Sequence, residues 1–274
     1  MKTKLKEITI NKAHELYGNP LPKEIQERME LELNWIMEHD ADIVYLLAKE
    51  LVKKANEKGY LVGYRGNIGS SYIAYILGIT KINPLPKQYE GFNIMFENVT
   101  DIKLCVASEH YDEICKECSN ILKNEDEIII KEQKQGIIKK NLIQTKEGKQ
   151  IGNIEIQTRS LLSILEELEK VTSFSQNQIK IEDDITSIGE FLIKHELFIG
   201  VDIIKFVDVL QTAQLYTFED LVVFLEVLYY QKDCVFSIAH FIDQALLIYK
   251  IGWYGVKYPK EYEKVEKQII KNEV

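Results

Sequence analysis

Residues 60–77 contain the sequence feature that most limits the folds open to this chain. It is a predicted strand followed by a glycine-containing turn and the start of a helix. The predicted strand covers residues 60–64, the turn reads RGNIGSS at residues 65–71, and the helix begins at Tyr72. Glycine allows a close approach of the backbone to a ligand, and unpaired amide groups at a helix start favour an anion. The same pattern is typical of a tight turn whose serines only cap a helix, because short glycine patterns have little specificity. Spacing alone leaves both interpretations open.

The turn contains the candidate phosphate-binding residues. The guanidinium group of Arg65 is a fixed, positively charged fork that suits phosphate oxygens. The five candidates are Arg65, Gly66, Gly69, Ser70 and Ser71.

The pattern of apolar residues changes near residue 160. Before that point it predicts helices at 23–37, 43–58 and 111–122, and strands at 92–96, 100–106, 127–131, 136–145 and 150–157. After it the pattern predicts helices, among them 218–230 and 239–255, with capping boxes at Ser163–Glu166 and Thr217–Asp220. We therefore expect an α+β fold with a small mixed sheet, followed by an all-helical C-terminal part. The expected domains are residues 1–160 and 161–274. Since no linker separates them, we expect the two parts to share a core, and one continuous domain is the alternative.

The charge of the chain disfavours tight, non-specific binding to nucleic acid. The chain has 274 residues and a net charge of −9; residues 1–160 contain 23 basic and 24 acidic side chains, and residues 161–274 contain 11 and 19. Neither part has the basic excess that neutralises a run of phosphates. The acidic helical part is a candidate contact surface for a protein partner or for a second copy of the chain.

The sequence gives no sign of export or of a membrane span. The N-terminal residues MKTKLKEITI contain no apolar stretch of signal-peptide length, and no apolar run approaches 18 residues. We expect a cytoplasmic protein that does not contact a membrane.

Two carboxylates on predicted strands are the candidate catalytic residues. Two-metal phosphoryl transfer needs carboxylates on adjacent strands, and residues i and i+2 of a strand share a face. Asp101 lies on the predicted strand at 100–106, but Lys103 shares its face and would repel a divalent cation. Glu155 lies on a later strand, and Glu109 is a third candidate metal ligand.

Three cysteines and a histidine cluster in the sequence without the spacing of a zinc site. Cys115 and Cys118 form a C-x-x-C, with Cys105 and His110 before them, but no second pair of ligands follows. The pair also lies on the apolar stripe of a predicted helix, so we expect buried free thiols and no bound metal.

Three stretches of the chain resemble the palm region of the PolC-type DNA polymerase III alpha subunit. They are ELYGNPLP at residues 15–22, GYLVGYRGNIGSS at 59–71 and ITKINPLP at 79–86. The corresponding family patterns for the last two are GYLVGSRGSVGSS and ITEVNPLP. The resemblance is specific over residues 12–104 and looser beyond, and together the similar stretches cover about two-thirds of this chain.

The resemblance implies a palm related to the nucleotidyltransferase fold and a turn that binds the triphosphate of a nucleotide. It also exposes departures from the family. Asp101 matches the first carboxylate of the family motif PDIDL, but Lys103 stands at the second, and Glu155 stands at the third, in the motif LDIL. Tyr64 replaces a serine, and the segment between residues 86 and 101 lacks the family's cysteine-rich insertion.

These departures favour a catalytically inactive derivative of the palm that needs no cofactor. It would retain weak binding of a nucleotide or phosphate, or act through protein contacts. The alternative is an active nucleotidyltransferase that holds Mg²⁺ with Asp101, Glu155 and Glu109. A third hypothesis is an accessory factor that binds nucleic acid, which the charge distribution disfavours.

Overall fold

The structure, a computed structural model, describes residues 2–85, 99–123, 128–135, 138–195, 213–230 and 238–273. Residue contacts divide the chain into two compact units. The first consists of residues 1–158 with the segment that ends at His240, and the second consists of the remaining residues from Arg159 onward. None of the helices in the described ranges is long and apolar enough to cross a membrane.

Three helices precede the first strand. They are α1 (Lys2–Tyr17), α2 (Lys23–Glu38) and α3 (Asp42–Glu57). The predicted helices at 23–37 and 43–58 are thereby confirmed, because each has an apolar stripe at helical spacing. Helix α1 was not predicted. Its buried face includes Thr9 and Ala13 beside Leu5, so its apolar stripe is thin.

Helix α3 ends in a turn that delays the first strand. Gly59 has a φ of +79°, and the N–H of Tyr60 donates to the carbonyl oxygen of Ala55 at 3.0 Å. Tyr60 is therefore used to terminate the helix, and strand β1 covers Val62–Arg65 instead of residues 60–64.

A five-stranded mixed sheet forms the centre of the first unit. Its strands are β1, β2 (Asp101–Val106), β3 (Ile128–Gln135), β4 (Ile138–Thr145) and β5 (Gln150–Thr158), in the spatial order β1-β2-β5-β4-β3. Strands β2 and β5 are parallel, and the other neighbours are antiparallel. The predicted mixed sheet and α+β class are confirmed; the predicted strand at 92–96 lies outside the described residues.

The two faces of the sheet differ in chemistry. One face packs on α3 and on α5 (Tyr111–Lys123), and it contains most of the buried isoleucine and leucine side chains of β2 and β5. Asn141 of β4 marks this face, since its side-chain amide donates to the carbonyl oxygen of Ile154 and lies 3.6 Å from the sulfur of Cys118 in α5. Side chains alternate between the two faces along a strand, so the residues next to Asn141 and Ile154 in sequence point to the opposite face. The charged side chains of the central strands lie there.

The second unit is helical in its described part. Its helices are α6 (Ser160–Thr172), α7 (Thr186–Lys194), α8 (Phe218–Tyr230), α9 (Ile238–Lys257) and α10 (Pro259–Glu273). Helix α9 begins in the segment assigned to the first unit.

One of the two predicted capping boxes is correct. The N–H of Thr217 donates to the carboxylate of Asp220 at 2.8 Å, and the N–H of Asp220 donates to the Thr217 hydroxyl at 3.1 Å. The box at Ser163–Glu166 is wrong, because α6 begins directly after β5 with Arg159 at its N-cap, which places Ser163 inside the helix.

Candidate functional site

The glycine turn connects β1 to α4 (Tyr72–Ile76), a helix of only five residues. Gly66 has a φ of +77°, a conformation that residues with a side chain rarely adopt, and it starts a 3-10 turn over Gly66–Ser70. Arg65 ends β1 and is exposed to solvent. Gly69, by contrast, is buried within the turn.

A buried carboxylate occupies the amide groups at the start of α4. Both oxygens of Glu32 accept hydrogen bonds: Oε1 from the N–H of Tyr72 at 2.9 Å, and Oε2 from the N–H of Ile73 at 3.1 Å. The hydroxyl of Ser71 donates to Oε2 at 2.8 Å, and the Nε atom of Arg28 lies 2.5 Å from Oε1. A phosphate at this helix start would therefore have to displace Glu32.

The two serines of the turn point into the protein. Ser71 is fully buried; its hydroxyl accepts hydrogen bonds from the N–H of Ala74 and, at 3.3 Å, from the hydroxyl of Tyr45. Burial raises the pKa of Tyr45 well above its ordinary value. The hydroxyl of Ser70 donates to the carbonyl oxygen of Asn67 at 2.7 Å, and Ser70 is 4% exposed. Of the five predicted phosphate ligands, Arg65 is the one with a solvent-exposed side chain.

The residue that replaces the family's serine before this arginine is also buried. The hydroxyl of Tyr64 donates to the carbonyl oxygen of Ala239 at 3.1 Å, and its ring meets that of His240 edge-on at a centroid distance of 6.1 Å. Tyr64 is therefore a packing residue.

The register of the sheet brings the candidate catalytic residues to one face. Lys103 of β2 lies directly opposite Glu155 of β5 on one side and opposite Arg65 of β1 on the other. Glu155 in turn lies opposite Lys140 of β4. Four neighbouring strands thus carry Arg65, Lys103, Glu155 and Lys140 in a single row across the sheet, which we call the charged row.

Asp101 occupies the next row of the same face. Its strand partner is Asn153, whose side-chain amide donates to the Asp101 carboxylate. Asp101 and Glu155 therefore share a face, with Lys103 between them in register. In the described part of the chain, no side chain forms an ion pair within 4 Å of Lys103, Lys140 or Glu155.

Glu109 does not join this site. It lies in the 3-10 turn Ser108–His110 that follows β2, at the end of the strand opposite to Asp101. Among the described residues, no three His, Cys, Asp or Glu side chains come together in a way that could hold a metal ion. The structure thus places Glu109 apart from Asp101 and Glu155, and the alternative hypothesis of a Mg²⁺ site stays a prediction.

The cysteines of the described chain are free thiols inside the first unit. Cys105, Cys115 and Cys118 are buried and unbridged, as predicted. Burial raises the pKa of the Cys118 thiol to about 12, which keeps it protonated at neutral pH.

The N-terminal part of the chain is similar to known proteins. A family model described as the bacterial DNA polymerase III alpha NTPase domain matches residues 3–103. The PolC-type DNA polymerase III of Caldanaerobacter subterraneus subsp. tengcongensis is 42% identical over 122 residues, which are 44% of this chain and 9% of that protein. The PolC-type enzymes of Thermotoga maritima and Streptococcus mutans are 40% and 41% identical over 122 and 129 residues. The N-terminal part of the chain is PolC-like.

The residues matched by these relatives make up less than half of this chain. They cover 44–46% of this chain and about 9% of the length of the three relatives. The looser resemblance predicted for the C-terminal part stays a prediction. The family match ends at Lys103, so the charged row combines two PolC-like positions, Arg65 and Lys103, with two from beyond the matched residues.

Sequence analysis missed two residues of this region. The other glutamates of α2 are exposed, yet Glu32 is fully buried with Met29 and Ile36. Its signal was an acidic residue within the apolar stripe, four residues after Arg28. Lys140 was missed because only strand pairing, which single-sequence patterns do not give, brings it beside Glu155.

Proposed function

We propose that this chain is a catalytically inactive, PolC-like protein of the DNA replication apparatus. The replication context rests on the relatives, which are named as PolC-type DNA polymerase III. The predicted cytoplasmic location belongs to the same proposal.

The position of Lys103 carries the proposal. Two-metal nucleotidyl transfer needs carboxylates on both sides of a pair of divalent ions. Here Lys103 lies directly between Arg65 and Glu155 in the strand register, and its side chain ends in an ammonium group. Lys140 flanks Glu155 on its other side. Lys103 and Lys140 thus flank Glu155, and Arg65 lies beyond Lys103 in the same row. These three cationic side chains oppose the binding of a divalent cation, because like charges repel.

An active Mg²⁺-dependent nucleotidyltransferase is the second candidate. It is favoured by one observation, which is that Asp101 and Glu155 still share a face on adjacent strands. Such an enzyme would hold a single ion between these two carboxylates, and it would have to do so beside Lys103.

Binding of Mn²⁺, followed by electron paramagnetic resonance, separates the two candidates. We expect the full chain to bind no Mn²⁺ at this face, and Lys103→Asp to gain a site that Asp101→Asn removes again. Lys140→Asp is the matched control: it makes the same charge change on the other side of Glu155, at a position outside the family motif. Tight Mn²⁺ binding by the unaltered chain, lost in Asp101→Asn, would contradict the proposal.

Protein contacts are the proposed mode of action of the acidic helical part. Residues 161–274 have a net charge of −8, from 11 basic and 19 acidic side chains. This charge favours a basic protein surface as partner and opposes nucleic acid. Light scattering at two ionic strengths tests self-association, and a mobility-shift titration with duplex DNA at physiological salt is expected to show no complex.

A further inference from the structure

The charged row is a positive patch in an acidic protein. The chain has a net charge of −9. The charged row contains three basic side chains and one acidic side chain. The next row places Asp101 at one end and Lys131 of β3 at the other, so the two rows together have four basic and two acidic side chains and a net charge of +2.

Two lysines of this patch have no acidic partner among the described residues. Neither Lys103 nor Lys140 forms an ion pair within the described ranges, whereas Lys139, the neighbour that points to the other face, contacts Glu132 at 3.2 Å and the Ser119 hydroxyl at 2.6 Å. Arg65 is exposed, and Lys103 and Lys140 are partly buried. Partial burial strengthens a charge-assisted hydrogen bond, because less water competes for the ammonium group.

We propose that the charged row binds the phosphate chain of a small polyphosphate ligand without a divalent cation. In this arrangement the ammonium group of Lys103 supplies the positive charge that a metal ion supplies in a two-metal site. Arg65 adds a planar fork and Lys140 a second ammonium group. The proposal rests on the proposed function, since it requires that Lys103 excludes the metal.

The spacing of the row selects a chain of phosphates over a single one. Arg65 and Lys140 are separated by three strand-to-strand steps of about 4.8 Å each, so their backbones are roughly 14 Å apart. Long side chains shorten this gap, but one phosphate group cannot meet all three cations. Glu155 lies between Lys103 and Lys140 and repels the anion, which limits the affinity.

Glu155 also gives the proposal a test of opposite sign. If the row binds a bare phosphate chain, Glu155→Gln removes a repulsion and tightens binding. If the site instead binds a metal–nucleotide complex, the same substitution removes a ligand of the metal and weakens binding.

Isothermal titration calorimetry on the full chain provides the measurement, with tripolyphosphate and dATP as separate ligands in EDTA and in Mg²⁺. We expect both ligands to bind in EDTA and more weakly in Mg²⁺. Lys103→Ala and Lys140→Ala should each weaken binding about tenfold or more, Lys103→Arg should retain it, and Glu155→Gln should tighten it. Lys146→Ala is the matched control, since it removes the same charge at the exposed β4–β5 turn and should change nothing.

Several results would overturn the inference. One is that neither ligand binds in EDTA, and another is that dATP binds but tripolyphosphate does not. The inference also fails if Lys146→Ala weakens binding as much as Lys103→Ala does, or if Glu155→Gln weakens binding. Finally, it fails if a single-stranded oligonucleotide binds more tightly than these ligands through the same lysines. Thermal unfolding of each variant shows whether it is folded. If an alanine variant does not fold, Lys103→Arg still tests the requirement for a positive charge at this position. Failure of the proposed function appears separately, as Mn²⁺ binding by the unaltered chain.

Discussion

The hydroxyl of Ser71 donates a hydrogen bond of 2.8 Å to the carboxylate of Glu32, so an acidic side chain of α2 occupies the place where the sequence predicted a phosphate. The same carboxylate accepts two backbone N–H groups of α4 and pairs with Arg28. An internal anion thus fixes the glycine turn against α2. The turn is preorganised by the protein itself and needs no ligand to hold its shape.

Removal of this carboxylate should destabilise the first unit strongly. Glu32→Ala removes the buried carboxylate that accepts hydrogen bonds from Arg28 and from two amide groups of α4, which costs about 3–5 kcal/mol. Urea unfolding followed by circular dichroism measures the loss. Glu30→Ala, on the exposed face of the same helix, should change the free energy of unfolding by less than about 0.5 kcal/mol. Equal stability of the two variants would show that Glu32 does not hold the turn.

Gly152 should not tolerate a side chain. Its φ is +158°, and a Cβ atom there would clash with the carbonyl oxygen of Thr100 and meet Val44 Cγ2 at 3.0 Å. Because the clash is with backbone at the start of β2, we expect Gly152→Ala to lower the free energy of unfolding by about 1–3 kcal/mol. Gly148→Ala is the control: its backbone also has a positive φ, but nothing lies within 4 Å of the added atom. A larger loss in Gly148→Ala than in Gly152→Ala would refute the packing argument.

The stability that the contact between the end of α3 and α5 contributes should depend on pH. The Lys58 ammonium donates a hydrogen bond to Glu113 at 2.6 Å, and the Tyr60 hydroxyl donates another at 2.7 Å. The bond from Lys58 has the larger effect, and together the two bonds lower the pKa of Glu113 below 4.5. A lowered pKa in the folded state contributes stability that is fully present above the unfolded value and is lost as pH falls through the folded value. The stability difference between the unaltered chain and Glu113→Gln should therefore be largest near pH 6 and shrink below pH 4.5. Urea unfolding at a series of pH values measures it, and a difference that grows in acid would contradict the assignment.

The buried thiols should be unreactive in the folded protein. The pKa of Cys118 is raised to about 12, chiefly by burial, so little thiolate exists at pH 7–8. The chain has a fourth cysteine, Cys234. In a Cys234→Ser background, we expect Ellman's reagent to modify the three remaining cysteines slowly in buffer and rapidly in 6 M guanidinium. Rapid modification in buffer, or protection by added Zn²⁺ alone, would indicate an accessible pair or a metal site.

Local patterns were sufficient to predict much of the fold. The apolar stripes of α2 and α3 and the alternation in β2 and β5 gave these elements nearly their observed bounds, because each element buries one face of regular spacing. The capping box at Thr217–Asp220 was predicted because its two hydrogen bonds are local in sequence. Helix α1 was missed because threonine and alanine replace the apolar residues on its buried side.

The site needed information that a single sequence does not contain. The strand pattern and the family resemblance both pointed to Asp101, Lys103 and Glu155, but strand order and register were required to show that Lys103 lies opposite Glu155. The same register brought in Lys140, which no local motif marks. The prediction that the turn's serines face a phosphate overlooked Glu32, because burial of a carboxylate depends on partners more than 30 residues away.

Incorporation of labelled nucleotide tests the central claim most directly. The full chain is incubated with a primer–template duplex and α-³²P-labelled deoxynucleoside triphosphates in Mg²⁺ or Mn²⁺, and the products are separated on a denaturing gel. We expect no extended primer and no transfer of label to any acceptor. A ladder of extended primers from the unaltered chain, abolished by Asp101→Asn, would contradict the account.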